Sequence, residues 1–450
     1  MVVNRFWKSK KVYFIGIGGI SMSGLAEYLL RRGSRVFGSD IKDSEQVEKL
    51  LALGVDVAVG ERVDLSRVES ADIVVYTDAI PIDNKELSAA FRMGKTVLSR
   101  AELLAKICAD FSRVVAVAGS HGKTTCTAMC AHVLKAASAP FCSHIGGVDL
   151  DVGSFFYVGN EYFLTEACEY KKNLLKIYAD TAILLNVDKD HLECYDGETD
   201  LKNTFLEYCV NAKTAVVCLD DPIACLAKNA VTFSIYERGA DYRATYLRQE
   251  RQKYSFSVLE YGVKVCRIRL KTVGRYNVYN ALAAFAAMRT FGFSVDEIKR
   301  GLESFVGVKR RFEEMGRYRG AEMICDYAHH PKEIFSVVET ARKITRGRLF
   351  VVFQPHTYSR TRNLMGEFVD VLRSVGDLVI YKTFPARERY DEKGDGKYLA
   401  ECVGNCLYAD TPTALRAWMD STVSDGDTLL FLGAGDIYYL AKHLLKSQKT

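Results

Sequence analysis

The sequence predicts an α/β protein of three domains with mostly parallel sheets. Three observations predict it. Short β-branched runs such as VYFIGIG, DIVVYTD, RVVAVAG and TAILLNVD alternate with segments of helical period such as SGLAEYLLRRG and NALAAFAAMRTFG. Two glycine-rich loops, GIGGISMSG and GSHGKTT, each follow such a strand and run into a helix-forming segment. After Gly307 a fresh strand–helix series begins with AEMICDYAHHP, RLFVVFQPHTYSRT, DLVIYKTFPARE and DTLLFLGAGD. At about 100–200 residues per domain, 450 residues hold two to four domains, and three is the expectation. Boundaries near Ile107 and Gly307 give segments 1–106, 107–307 and 308–450.

Composition narrows the class. The 61 basic and 56 acidic residues are spread without long single-sign runs, so no footprint for nucleic acid is expected and the partners are small molecules. Thirteen cysteines are an odd number in a long chain with no Cys-x-x-Cys pair, which points to reduced thiols. The first strand follows a short basic leader with no cleavage region, and no apolar run of about 18 residues occurs. The expectation is a soluble, cytoplasmic protein without membrane insertion.

In the first loop, Gly16, Gly18 and Gly19 let the backbone turn tightly and approach a diphosphate at a helix N-terminus. The strict dinucleotide fingerprint fails at its third glycine, where Ser21 stands, while Asp40 closes the second strand at the place of a ribose-binding acid. A dinucleotide and a nucleoside-diphosphate sugar both satisfy this pattern. The second loop is more specific. Only two residues separate Gly119 from Gly122, against four in the usual phosphate loop, yet the chemistry survives the shortening. Amides from Ser120 through His121 to Thr125 can cradle phosphate oxygens, Lys123 can neutralise the β and γ groups of ATP, and Thr124 can hold Mg²⁺.

Glu166 in TEACEY and Asn186, Asp190 and His191 in NVDKDH fall at further strand ends, which share one edge of a parallel sheet with the phosphate loop. Glu166 and His191 are therefore candidate Mg²⁺ ligands. Between Tyr242 and Val273 alternating short runs predict an antiparallel addition to the central sheet. In the last segment Asp326, Tyr327 and His329 in ICDYAHHP, and His356 and Arg360 in QPHTYSRT, lie at two strand ends. A helix starting at Pro355 would put His356 and Arg360 on one face, where a guanidinium grips a carboxylate and an imidazole accepts a proton. Which histidine accepts it stays open between His329 and His356.

GIGGISMSG, AGSHGKTT, TEACEYKKN, NVDKDH, GRYNVYNALAA, VKRRFE, DYAHHPKEI, QPHTYSRT, PARE and GAGD occur in the order seen in the Mur ligases, and the chain resembles that family over nearly its whole length. Within the family the His before Gly-Lys-Thr-Thr and the QPHTYSRT run resemble the alanine-adding members; the tripeptide-recycling members share the His loop. The resemblance implies an N-terminal Rossmann-like domain for a UDP-sugar, a central P-loop ATPase domain and a C-terminal Rossmann-like domain for an amino acid. It implies ligation of L-alanine to the carboxylate of UDP-N-acetylmuramic acid with ATP and Mg²⁺. Gly16, Gly18, Gly19 and Asp40 then serve the UDP part; Lys123 meets ATP; Thr124, Glu166 and His191 serve the metal; Asn277 and Asn280 face the adenine region; Arg310 and Arg311 contact ATP on closure. The sequence departs from the family where Val273 and Tyr276 replace the usual Pro and His, and Leu206 stands where some relatives carry a carbamoylated lysine. Oligomeric state is not legible.

The chemistry suits these residues. A carboxylate is a poor acyl donor until ATP converts it to an acyl phosphate, which an amine then attacks with loss of phosphate. Water would destroy that intermediate, so the domains should close before transfer. Two rivals remain: an NAD-dependent oxidoreductase, which leaves GSHGKTT unexplained, and a nucleotide-gated binding protein, which predicts ATP turnover independent of any acceptor.

Overall fold

The computed structural model describes residues 6–189, 194–250, 253–386 and 388–448. The chain forms two compact units, one of residues 1–247, 255–270 and 276–306, the other of 248–254, 271–275 and 307–450.

The first unit opens with β1 (Lys11–Ile15), β2 (Arg35–Asp40), β3 (Asp56–Val59), β4 (Ile73–Tyr76) and β5 (Thr96–Ser99). They make a parallel sheet in the order β3-β2-β1-β4-β5. Strands covered on both faces read as continuous apolar runs, and VYFI of β1 is buried throughout. The order reverses at β1, so the crevice at its carboxyl end lies beside the first glycine loop.

A second sheet follows, of β6 (Arg113–Ala118), β7 (Phe141–Asp149), β8 (Gly153–Tyr157), β9 (Tyr162–Glu166), β10 (Thr181–Leu184), β11 (Thr214–Cys218), β12 (Val231–Ser234), β13 (Tyr242–Glu250), β14 (Lys253–Glu260) and β15 (Val263–Val273). Its order is β15-β14-β13-β12-β11-β10-β6-β9-β7-β8. β6 runs parallel to β10 and β9 on either side, which puts the second glycine loop at this sheet's own reversal point. β7 and β8 form an antiparallel hairpin that the sequence reading did not include. β14 and β15 are joined by Tyr261 and Gly262, both at positive φ, the conformation of a two-residue hairpin turn. This is the antiparallel addition expected between Tyr242 and Val273.

One hydrophobic core runs from Trp7, Val12 and Tyr28 through Phe111 to Phe163 and Phe205, crossing position 107 without interruption. Trp7 Nε1 and Tyr28 Oη both donate to Asp110 Oδ2, at 2.8 and 2.9 Å, just past the boundary. The N-terminal and central sheets therefore form one compact unit.

The second unit carries β16 (Glu313–Tyr318), β17 (Ala321–Asp326), β18 (Leu349–Phe353), β19 (Asp377–Tyr381), β20 (Leu407–Ala409) and β21 (Thr428–Leu432). The order is β16-β17-β21-β18-β19-β20, parallel except for the β16–β17 hairpin. The ends of β17, β18 and β21 share one edge, where Asp326, Gln354 and Gly433 begin their loops. All thirteen cysteines are free thiols. Among the described residues no helix is long and apolar enough to cross a membrane.

Candidate active site

At the first loop, Gly16 takes φ +79°, and its amide and that of Ile17 donate to Ser39 O at 2.8 and 3.0 Å. Gly18 N donates to Asp40 Oδ2 at 2.8 Å, so the acid at the end of β2 holds the loop's own backbone. A Cβ at Gly18 would come within 2.7 Å of Val47 Cγ2 and 2.9 Å of Asp40 Oδ2, which is why the position is glycine. Gly19 precedes the helix Ile20–Arg31 without capping it by a side chain, leaving that helix's first amides to face the crevice.

The phosphate loop is built as its spacing required. Gly119 (φ +136°) and Gly122 (φ +86°) occupy conformations that other residues rarely adopt, and the helix Lys123–Ala136 begins at the lysine. Asn186 braces the loop by accepting from His121 N at 2.8 Å and donating to His121 O at 3.1 Å. Ser120 Oγ accepts from Asp188 N at 2.8 Å, and His121 Nε2 lies 3.3 Å from Asp188 Oδ2. Thr124 and Thr125 are buried in the first helical turn. Asn277 and Asn280, on the helix Tyr276–Thr290, bond each other at 3.1 Å, and Asn280 Oδ1 sits where a Cβ on Gly122 would meet it at 2.5 Å. Asn280 therefore lies against the loop itself.

Lys123 Nζ donates to the carbonyls of Gly119 and Ser120 and to Glu169 Oε1 at 2.9 Å. Burial works against the ammonium, but Glu169 first, with Cys168 and Glu166, together outweigh it and hold the lysine above its ordinary pKa. Glu169 was not singled out from the sequence. Its only signal is that it stands three residues beyond Glu166 in TEACEY, outside the strand. Glu169 Oε2 is buried with no hydrogen-bond partner among the described residues. Glu166 is at the end of β9 as expected, and its Oε1 accepts from Gly146 N at 2.6 Å. Asp190 and His191 lie outside the described residues.

In the second unit Asp326 ends β17 buried, with Oδ2 accepting from Phe312 N at 2.7 Å and Oδ1 from Ala328 N at 2.8 Å. Burial pushes its pKa up to about 6 against the lowering effect of Arg311 and these amides. The carboxylate anchors a tight segment in which Arg310 and Phe312 both have positive φ. The Tyr327 ring lies 4.7 Å from the Arg310 guanidinium and 5.1 Å from that of Arg311. Arg310 donates to the carbonyls of Gly433 and Gly435 at 3.1 and 2.8 Å, so GAGD binds this arginine.

His329 and His356 meet, with ring centroids 5.8 Å apart. The helix after QPH begins at Tyr358, not at Pro355, because Thr357 takes φ +65° and His356 pairs with Phe384 as an isolated parallel bridge. Arg360 Nη1 nevertheless reaches His356 Nδ1 at 3.3 Å. PARE contributes Glu388, which accepts from the backbone and hydroxyl of Ser359 at the start of that helix. Glu333, also not singled out, accepts from His329 N at 3.1 Å and lies 3.5 Å from His329 Nδ1. Its signal was available: an acid three residues into a helix opened by Pro331.

Two Rossmann-like sheets and a P-loop sheet, each with its polar residues at the strand carboxyl ends, define a nucleotide-dependent α/β enzyme. Family models agree along the chain: the catalytic domain of the Mur ligase family over residues 11–112, the Mur ligase middle domain over 117–288, and the glutamate ligase domain of Mur ligases over 310–435. The chain is 36% identical to a UDP-N-acetylmuramate–L-alanine ligase of Acetivibrio thermocellus over 98% of this chain and 97% of that one. A ligase of the same name from Clostridium perfringens is 37% identical over 97% and 98% of the two chains. The crystal structure of the UDP-N-acetylmuramate–alanine ligase of Thermotoga maritima superposes with a TM-score of 0.83 at 27% identity, covering 98% of this chain and 99% of that one. The chain belongs to the Mur ligase family.

Proposed function

We propose that the chain is an ATP-dependent, ADP-forming amide ligase that joins L-alanine to the carboxylate of UDP-N-acetylmuramic acid in cytoplasmic peptidoglycan precursor synthesis. The observation that carries this reading is the full-length identity of 36% to ligases of that name. The part-buried Lys123 beside its glycine loop supports the ATP-dependent step.

Gly16, Gly18 and Gly19, with Asp40 as brace, take the UDP part. The loop Gly119–Thr125 and Lys123 take the ATP phosphates, and Asn277 and Asn280 support that loop from the next helix. Arg311 would contact ATP as the resemblance implies, while Arg310 is held by the carbonyls of Gly433 and Gly435. A buried, unpartnered carboxylate oxygen on Glu169 suits a hard cation that prefers oxygen ligands. Thr124, Glu166 and Glu169 would hold Mg²⁺, with His191 as the resemblance implies. The ion would supply positive charge to the phosphate oxygens as the γ-phosphoryl group moves. Lys123 adds its own charge at the same oxygens.

The ligation balances as follows. A carboxylate oxygen of the sugar nucleotide attacks the γ-phosphorus and ADP leaves; the alanine nitrogen attacks the acyl phosphate carbon and inorganic phosphate leaves; the amine gives up a proton. The geometry favours His329 for that proton. A guanidinium only donates, so Arg360 against His356 Nδ1 leaves that atom unprotonated and places the proton of a neutral ring on Nε2. A carbonyl only accepts, so Tyr327 O, 3.0 Å from His329 Nδ1, takes the proton there and leaves the lone pair on Nε2. Arg360 then grips the alanine carboxylate, and Tyr327 and Asp326 shape the wall. Phosphate release measured with each substrate omitted tests the reading. It should require UDP-N-acetylmuramic acid, alanine, ATP and Mg²⁺ jointly, and full turnover without the sugar nucleotide would overturn it.

A further inference from the structure

Ser21 occupies the place of the fingerprint's third glycine, and the structure gives it a side-chain environment that a glycine could not use. His144, on β7 of the central sheet, lies against it and is buried. His144 Nε2 lies 3.1 Å from Ser21 O and 3.0 Å from Ser21 Oγ. A carbonyl cannot donate, so Nε2 carries the proton and shares it between the two oxygens. The other ring nitrogen, Nδ1, then carries the lone pair and faces Thr165 Oγ at 3.2 Å, whose one proton it shares with Glu166 O at 3.3 Å. Burial first, and the Arg100 charge second, hold the His144 pKa down at about 4, so the ring is neutral and this single tautomer persists.

Arg100 Nη1 donates to the same hydroxyl at 3.4 Å. Ser21 Oγ thus receives a hydrogen bond from His144 and another from Arg100, which uses both of its lone pairs. The hydroxyl's remaining capacity is its proton. It stands in the first turn of the helix Ile20–Arg31, whose amides also lack intrahelical partners.

We propose that Ser21 donates its hydroxyl proton to a diphosphate oxygen of the sugar nucleotide, and that His144 is the positioning residue that turns the hydroxyl toward it. The role rests on the reading of the first loop as the UDP-sugar site. It also makes a residue of the central sheet, paired in register with Glu166's neighbour Thr165, responsible for affinity at the N-terminal loop.

Calorimetry with UDP and with uridine separates this from a structural role. Ser21→Ala should weaken UDP binding by about tenfold or more, as loss of a hydrogen bond to a charged group does, and leave uridine unchanged. His144→Phe, which fills the space but cannot donate, should weaken UDP to a similar degree. His144→Asn should recover much of the loss, since its amide can donate to Ser21 while its oxygen accepts from Thr165. Equal losses for UDP and uridine, or UDP affinity indifferent to Ser21→Ala in a folded protein, would overturn the proposal. Should His144→Phe fail to fold, Thr165→Val reads the same chain of bonds from its far end, with a smaller loss confined to UDP. A protein that binds UDP through Ser21 yet ligates no amino acid supports this proposal while defeating the ligase reading.

Discussion

Removing the phosphate-loop lysine should damage two things that a second substitution can pull apart. Lys123 and Glu169 lie 2.9 Å apart with side chains 16% and 3% exposed, so Lys123→Ala leaves a buried carboxylate without its cation. Breaking such a pair from one side costs about 3–5 kcal/mol. At roughly 2–4 °C per kcal/mol for a unit of this size, the melting temperature should fall by roughly 6–20 °C. Activity should fall at the same time, by about 10²-fold or more in kcat, because the charge that meets the migrating phosphoryl group is gone. Adding Glu169→Gln to Lys123→Ala removes the stranded charge. The double variant should regain at least half of the lost melting temperature and none of the lost turnover. Thermal melts and coupled phosphate release on the wild type, both singles and the double measure this. A double variant no more stable than Lys123→Ala would refute the argument, since the cost would then not come from the uncompensated carboxylate. The sign with pH follows from the raised lysine pKa: the pair's stabilisation is complete below the unfolded value of about 10.4 and is lost only as pH rises through the higher folded value. The stability gap between wild type and Lys123→Ala should therefore stay level from about pH 6 to pH 9.

Four other outcomes are expected. Arg360→Ala should raise KM for alanine roughly 30-fold, as loss of a contact worth about 2–5 kcal/mol does, with KM for ATP and the sugar nucleotide little changed in steady-state assays. His329→Asn should lower kcat by about 10²–10⁴-fold, and the acidic limb of the kcat–pH profile should disappear, whereas His356→Asn should act mainly on KM for alanine. Asp326, with its pKa near 6 in the folded chain against about 3.9 unfolded, binds its proton more tightly when folded. Stability should therefore decline by about 3 kcal/mol as pH rises from about 4 to 6 and level off above, a slope in urea midpoints that Asp326→Asn should remove. Gly122→Ala puts a Cβ 2.5 Å from Asn280 Oδ1 at φ +86°, and the variant should lose ATP affinity by calorimetry while keeping that for UDP-N-acetylmuramic acid.

What could be read from the sequence was whatever a strand–loop–helix order dictates. GSHGKTT had to bring Lys123 to the start of a helix, and Asn186 and Glu166 had to come to the same edge, because parallel strands share it. Asp40 met the first loop for the same reason, although it bonds Gly18's amide directly. What stayed hidden was contact between elements with no common periodicity. Glu169 stands beyond the end of β9, just before Lys171 and Lys172 at positive φ, in irregular chain whose path no residue type announces. The β7–β8 hairpin that carries His144 lay in a stretch to which the sequence patterns assigned no element. The boundary near Ile107 marks a change of sheet, but the core ignores it, since Trp7, Tyr28 and Phe163 are apolar side chains that pack wherever faces meet.

The pair His356 and Arg360 shows how a correct outcome can rest on a different cause. Four-residue spacing suggested a common helical face, yet His356 precedes the helix and is aimed by its bridge to Phe384, with their rings stacked 5.6 Å apart. Arg360 reaches back to it from the helix's first turn. On the proposed reading, that contact sets the tautomer of a neutral His356, and the carbonyl of Tyr327 sets that of His329. Two histidines that the sequence leaves equivalent thus become a donor and an acceptor. The difference lies in which neighbours can only give a proton and which can only take one, and it makes His329 the residue whose loss should change the pH dependence of turnover.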